Sequence, residues 1–208
     1  MIRESARAKI SRRRWLLACL TTPLFQARAA AGLTVTSDGD NLHVVAPQLH
    51  FLTGKPLSRL HDGATVSFFS QITLLEPNQI TEFRRAQERL TVSYDVWDEK
   101  FRLKVGTGGR LVSGLSAAET EALCLDNLAI SALGLAPDRS FYLRLELRTL
   151  SPRELSAVVG DSGISMTRLI EAFSRKPRPD EDSWGPLLAG PLRLMDLTRT
   201  TGRRTRNG

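Results

Sequence analysis

The sequence predicts an α+β fold in which an antiparallel β-sheet of several hairpin-connected strands carries a central helix and C-terminal helices packed on it. Three observations lead there. Period-two alternation of apolar and polar residues dominates residues 33–105 and returns at 141–147, the spacing of strands with one buried face. Runs of turn-forming residues separate these segments closely enough for hairpins. Between the two strand-rich regions, Ser116-Ala117-Ala118-Glu119 has the form of a capping box and so starts a helix.

Taken in order, residues 33–35 and 42–46 pair across Ser37-Asp38-Gly39-Asp40-Asn41, a run of turn formers. Residues 56–60 make a short helical turn closed by His61-Asp62-Gly63. Val66, Phe68, Ser70, Ile72 and Leu74 then alternate with Ser67, Phe69, Gln71 and Thr73 as a strand. Residues 80–89 read two ways: Ile80, Phe83, Gln87 and Leu90 fit helical spacing, and the same stretch also extends the next strand. That strand, residues 90–96, forms a hairpin with 101–105 about Asp98 and Glu99. The capped helix is expected to run to about residue 133 and to end at Gly134 as a left-handed cap, with Ala118, Ala122, Leu125, Ala129 and Leu133 at helical spacing. Phe141, Leu143, Leu145 and Leu147 alternate with Tyr142, Arg144, Glu146 and Arg148 as a further strand. Helices follow at 152–159 and 165–174, then a charged linker at 176–184, KPRPDEDSW, and an apolar docking segment at 187–197. No internal repeat is present. The chain divides into a signal segment (1–29), an α+β domain (30–176), a linker with the docking segment (177–197) and a basic tail (198–208).

The N-terminus reads as an export address. Six basic side chains and Glu4 in residues 1–14 precede an apolar run at 15–25, which is followed by Ala27-Arg28-Ala29-Ala30. These are the charged region, apolar region and small-residue cleavage site of a signal peptide, with cleavage expected between Ala29 and Ala30. Ser11-Arg12-Arg13-Arg14-Trp15-Leu16 resembles the twin-arginine signal through Arg12 and Arg13, and general secretion is the alternative route. The resemblance implies recognition by export machinery and a periplasmic destination. Leu16-Leu17-Ala18-Cys19 has the look of a lipobox, so a lipoprotein anchored through Cys19 is the alternative to a free exported domain. The apolar run is too short for a permanent transmembrane helix, which needs about 20 apolar residues.

Charge is unevenly placed. The pI is about 10.1 and the net charge +7, but residues 1–29 hold seven of the 29 Lys and Arg and one of the 22 acids, so they supply +6 of it. Residues 30–198 come out at −3, and the tail from Arg199 adds four arginines and no acid. No basic stripe with interleaved aromatics runs along the body of the chain, which argues against nucleic-acid binding. The tail lacks apolar residues and reads as a solvated, disordered end, whose functional counterpart is attraction to an anionic membrane surface or envelope polymer. Once the signal is removed Cys124 is the one cysteine, so no intramolecular disulfide supports the fold.

The segments LSRLHDGATVSFFSQITLL, LTVSYDVWDEKFRL and SFYLRLELRTLSPREL, with a helix between the last two, resemble a family of bacterial exported proteins known only as a domain of unknown function and found beside sensor histidine kinases. The resemblance covers about half of residues 30–208. It implies an extended strand at 80–90 and brings no activity with it.

Motifs for chemistry are sparse. Gly160-Asp161-Ser162-Gly163 resembles the nucleophile loop of serine hydrolases, and Ser162 with His61 or His50 and a carboxylate is the enzyme alternative. Against it, no His follows His61, and Gly160 ending one helix with Asp161 or Ser162 capping the next explains the same letters. Gly106-Thr107-Gly108-Gly109 follows a strand, but no Lys-Ser or Lys-Thr comes after it as a phosphate loop requires. His43, His50 and His61 have no metal-ligand spacing. No cofactor or metal is expected. The function that remains is a non-enzymatic exported module that binds an envelope protein or an apolar ligand, with Phe69, Trp97 and Tyr142 on the polar faces of their strands as an exposed patch.

Overall fold

Among the described residues, a six-stranded and a three-stranded antiparallel sheet, a small two-stranded hairpin, four α-helices and a short 3-10 helix build the fold. The structure is a computed structural model that describes residues 32–106, 109–160 and 163–198. Arg12, Arg13, Cys19, Ala29, Ala30, Ser162 and the tail from Arg199 lie outside the described residues.

The first hairpin pairs β1 (Thr34–Asp38) with β2 (Asn41–Val45), and Gly39 between them takes φ 60°, the left-handed conformation that glycine adopts without strain. After α1 (Gly54–His61) come β3 (Val66–Leu75), the long β4 (Glu82–Asp95), β5 (Lys100–Val105) and β6 (Leu111–Leu115). Then follow α2 (Ala117–Asp126), β7 (Ala129–Ser131), β8 (Phe141–Thr149) and α3 (Pro152–Val158). A two-residue hairpin, β9 (Val159–Gly160) with β10 (Gly163–Ile164), leads to α4 (Met166–Ser174) and the last strand, β11 (Ser183–Leu192). The main sheet has six strands in the order β11-β8-β3-β4-β5-β6, and a smaller one has the order β1-β2-β7.

Register gives the main sheet two unlike faces. Ile72 on β3 lies between Ala86 of β4 and Leu145 of β8, whereas Phe69, pointing the other way, lies between Arg89 and Arg148. The inner face carries Val66, Phe68, Ile72, Leu74, Leu90, Val92 and the leucines of β8. One half of it packs on the small sheet and α2 through Leu42, Val44, Ile130 and Leu125. The other half packs on α1 and the loop before it through Leu60 and Phe51, whose ring meets Phe68 edge-on with centroids 5.0 Å apart. Fully burying each such side chain contributes about 1.5–3 kcal/mol, so this face supplies most of the driving force for folding.

On the outer face a lobe of α3 and α4 covers one end, where Phe69 packs with Leu150, Val158, Leu169 and Phe173. Glu181, in the connection to β11, closes that lobe. Its carboxylate accepts from Arg175 Nη1 at 2.9 Å, Arg175 Nη2 at 2.7 Å and the Arg178 amide at 2.9 Å, while Glu154 also pairs with Arg175.

Several sequence expectations change. Of residues 80–89, 82–89 are strand: Asn78 Oδ1 accepts from the amides of Ile80 and Thr81 at 2.9 Å, and this turn returns the chain directly into pairing with β3. The capping box forms, with Ser116 N donating to Glu119 Oε2 at 2.8 Å, but α2 ends at Asp126 rather than near 133. Asn127 Nδ2 donates to the Leu123 carbonyl at 2.6 Å and closes the helix, and Ile130 pairs opposite Leu42 in the small sheet. The helical spacing of Ala129 and Leu133 was coincidental. Val159 ends α3 and Ser165 caps α4, in place of Gly160 and the residues after it.

The docking segment is in part an edge strand: residues 187–192 belong to β11, and Leu194 and Leu197 beyond it also pack against the core. β11 pairs with β8 with two register shifts, and Pro186 and Pro191 interrupt its row of backbone donors. Gly190 has φ 141°, and a Cβ there would stand 2.5 Å from the Tyr142 ring, so that ring lies directly over the bare backbone.

Candidate functional site: a basic sheet face

The same alternation that buries the inner face decides what the outer face presents. With Leu90 and Val92 of β4 turned inward, Arg85, Gln87, Arg89, Thr91 and Ser93 turn outward. With Phe101 and Leu103 inward, β5 sends out Lys100, Arg102 and Lys104, all exposed. β8 sends out Tyr142, Arg144, Glu146 and Arg148. Register lines these up across the strands: Arg144, Thr73 and Arg85 form one row, Glu146, Gln71 and Gln87 the next, and Arg148, Phe69 and Arg89 a third. Lys104 stands opposite Thr91 and Arg102 opposite Ser93.

Part of this charge is neutralised within the face. Glu82 sits between two arginines, with Arg144 Nη2 donating to Oε1 at 2.6 Å and Arg85 pairing with Oε2. Burial acts against the Glu82 charge, and Arg85 and Arg144 outweigh it, holding the carboxyl below the usual carboxylate range. Asp95 pairs with Arg102, and its carboxyl is held low first by the amides of Asp98 and Trp97. Arg148 belongs to the lobe. Its Nη1 donates to the carbonyls of Ala172 at 2.9 Å and Arg175 at 2.7 Å, and its guanidinium lies 5.0 Å from the centre of the Phe173 ring.

The rest is unspent. Arg89 reaches only Ser67 Oγ, at 3.1 Å, and Arg89, Lys100 and Lys104 form no ion pair among the described residues. Among the described residues the buried side-chain polar atoms without a hydrogen-bond partner are Thr73 Oγ1, Gln87 Oε1, Arg89 Nε and Arg144 Nε. All four belong to this face, three of them in the rows that link Arg144 to Arg85 and Arg148 to Arg89. Buried polar groups are normally paired, so these four atoms, all on one side of one sheet, are exceptions to that rule. The chemistry of this face suits anions: guanidinium and ammonium donors, flanked by hydroxyl and amide groups.

The aromatic patch expected from sequence is not assembled. Phe69 does point outward, but α3 and α4 bury it completely. Tyr142 is half-buried over Gly190 at the β11 side, and Trp97 stands 95% exposed at the β4–β5 turn. The three aromatics occupy three separate places.

The histidines are likewise apart. His61 lies with its ring 4.6 Å from Tyr94 on the inner-face side, where α1 packs. His50 Nδ1 meets Glu121 Oε2 at 2.9 Å, and Glu121 Oε1 accepts the amides of Phe51 and Leu52 at 2.7 and 2.8 Å. Glu121, unremarked in the sequence, thus staples the loop before α1 to α2, beside a mainly apolar cavity of about 260 Å³ lined by Val45, Leu49, Ala122 and Leu125. Ser162 lies outside the described residues. The elements on either side of it belong to the outer-face lobe, across the sheet from both histidines. Cys124 is fully buried, and burial followed by the nearby Glu121 pushes its thiol up, away from a nucleophilic thiolate.

Among the described residues no group of three His, Cys, Asp or Glu side chains converges as metal ligands, and no helix is long and apolar enough to cross a membrane. The class that fold and site define is an α+β protein with one open, basic sheet face. The chain matches no protein-family model, no curated protein and no solved structure.

Proposed function

We propose that the protein is an exported binding module of the cell envelope whose outer sheet face holds an anionic partner. The observation that carries the binding reading is the cross-strand array of Arg89, Lys100 and Lys104, which form no ion pair among the described residues, beside Arg144, which is paired with Glu82. Export is supported by Arg12-Arg13 and by the small residues at Ala29 and Ala30. An array of this kind steers acidic partners by charge and weakens with ionic strength, because exposed charges are screened over about 10 Å at 0.1 M salt.

Titration of the protein with poly-L-glutamate and with inorganic polyphosphate at rising salt tests the binding reading. Salt-sensitive binding that drops when Arg89, Lys100 and Lys104 are changed together to Gln supports it. Absence of binding to both polyanions at low salt, or equal binding by that variant, overturns it. The intact mass of the protein from fractionated Gram-negative cells tests export. A periplasmic species starting at Ala30 supports a free exported domain, and a membrane species starting at acylated Cys19 makes it a lipoprotein.

A further inference from the structure

A sheet face that receives an anion leaves the partner's class open, and the β4–β5 hairpin narrows it. We propose that the partner is an anionic lipid surface, met by the outer face of this hairpin with Trp97 as its apolar anchor; the inference rests on the anion-binding reading above. Trp97 is 95% exposed and Val96 beside it 57% exposed, so neither belongs to the buried core. A Trp ring with its indole N–H suits the boundary between lipid headgroups and acyl chains, where Trp is enriched.

The turn that carries Trp97 is fixed in advance. Asp95 Oδ1 accepts from the Trp97 amide at 3.0 Å and the Asp98 amide at 3.3 Å, and Glu99 takes the left-handed conformation at φ 52°. Behind the tip, Lys100, Arg102 and Lys104 project from the same side of β5 at intervals of about 7 Å. Opposite Lys104 on β6 stands Leu111, 60% exposed. Cations flanked by exposed apolar side chains are the pattern of a surface that meets headgroups and acyl chains together. An acidic protein would engage the cations and leave Trp97, Val96 and Leu111 unexplained. Asp98 and Glu99 share the turn and oppose an end-on approach to anionic lipid, so the hairpin lies along the surface with its outer face down.

Basic residues near an anionic membrane contribute about 1 kcal/mol each, or about fivefold in partitioning. Co-sedimentation with vesicles of phosphatidylglycerol and phosphatidylethanolamine, against vesicles of phosphatidylcholine, tests the proposal. The expected result is salt-sensitive binding to the anionic vesicles alone, with a blue shift of Trp emission that Trp97→Ala abolishes. Changing Lys100 and Lys104 to Gln should weaken binding about 25-fold. Trp97→Ala retains the wild-type thermal midpoint, because the side chain packs on nothing, so its loss of binding cannot come from unfolding. Equal binding to phosphatidylcholine, or unchanged binding by Trp97→Ala, overturns the proposal. Binding of polyanions without binding of anionic vesicles overturns this inference and leaves the broader reading standing, whereas failure with both overturns both.

Discussion

Glu181→Gln should destabilise the protein at neutral pH and hardly at all in strong acid. Burial alone would raise the Glu181 pKa, but Arg175, then the hydrogen bond with Glu154 and the Arg178 amide, outweigh it and bring the carboxyl to about 2. An unfolded glutamate titrates near 4.3, so the folded state holds the charged form by about two pKa units, or roughly 3 kcal/mol. Because the folded pKa is the lower one, this stability is fully present above about pH 4.3 and is lost as pH falls through about 2. Part of it is returned in the variant. Glu154 has its pKa raised by burial and then by Glu181, and neutralising residue 181 relieves that second contribution. A net loss of roughly 2 kcal/mol follows, equivalent to about 4–8 °C in thermal midpoint for a chain of this size. Urea denaturation of both proteins at pH 7 and pH 2 measures it. A difference below about 0.5 kcal/mol at pH 7, or one that stays undiminished at pH 2, would refute the assignment of Glu181 as the charged clasp of the α3–α4 lobe.

Phe69→Ala should cost about 3–5 kcal/mol, since it empties the contact between the sheet and both lobe helices; urea denaturation reads the loss, and a cost near zero would mean that the ring is exposed after all. Gly190→Ala should destabilise by about 1–3 kcal/mol, because a Cβ at φ 141° also meets the Tyr142 ring. Adding Tyr142→Ala should restore part of that loss, and a strictly additive double variant would count against the contact. A fluorophosphonate probe should leave Ser162 unlabelled, given that the flanking lobe and both histidines are on opposite faces of the sheet; labelling abolished by Ser162→Ala would reinstate the hydrolase alternative.

Where local chemistry decides the structure, the sequence was readable. The first hairpin, the capping box at Ser116 and the alternating strands around Phe68, Val92 and Leu145 follow from side-chain period and turn residues alone. Failures arise where pairing partners decide. The spacing of Ala129 and Leu133 suits a helix, yet Ile130 gains more by closing the small sheet against Leu42. β6 and β11 lack clean alternation because each is an edge strand, with one pairing partner and bulges. The basic face was hidden for a similar reason. Arg89, Lys104 and Arg144 are far apart in sequence, and the strand registers bring them to one surface. A usable signal existed in β4, β5 and β8, whose outward positions carry Arg or Lys, whereas β3 carries Ser67, Phe69, Gln71 and Thr73 there; an outward aromatic is the competing signal. Phe69 shows why that misleads, since a strand's second face can also be covered.

The prolines of β11 have a consequence for how copies of this chain meet. Growth of a fibre by edge-to-edge sheet addition requires two compatible edges on every molecule, so that each added copy offers a fresh one. One margin of the main sheet is blunted by Pro186 and Pro191, which have no N–H to give, and by the two register shifts. The other margin, β6, is short and itself bent at Gly114. Joining through β6 therefore uses up the edge that could have recruited the next copy, and such an assembly ends at a pair.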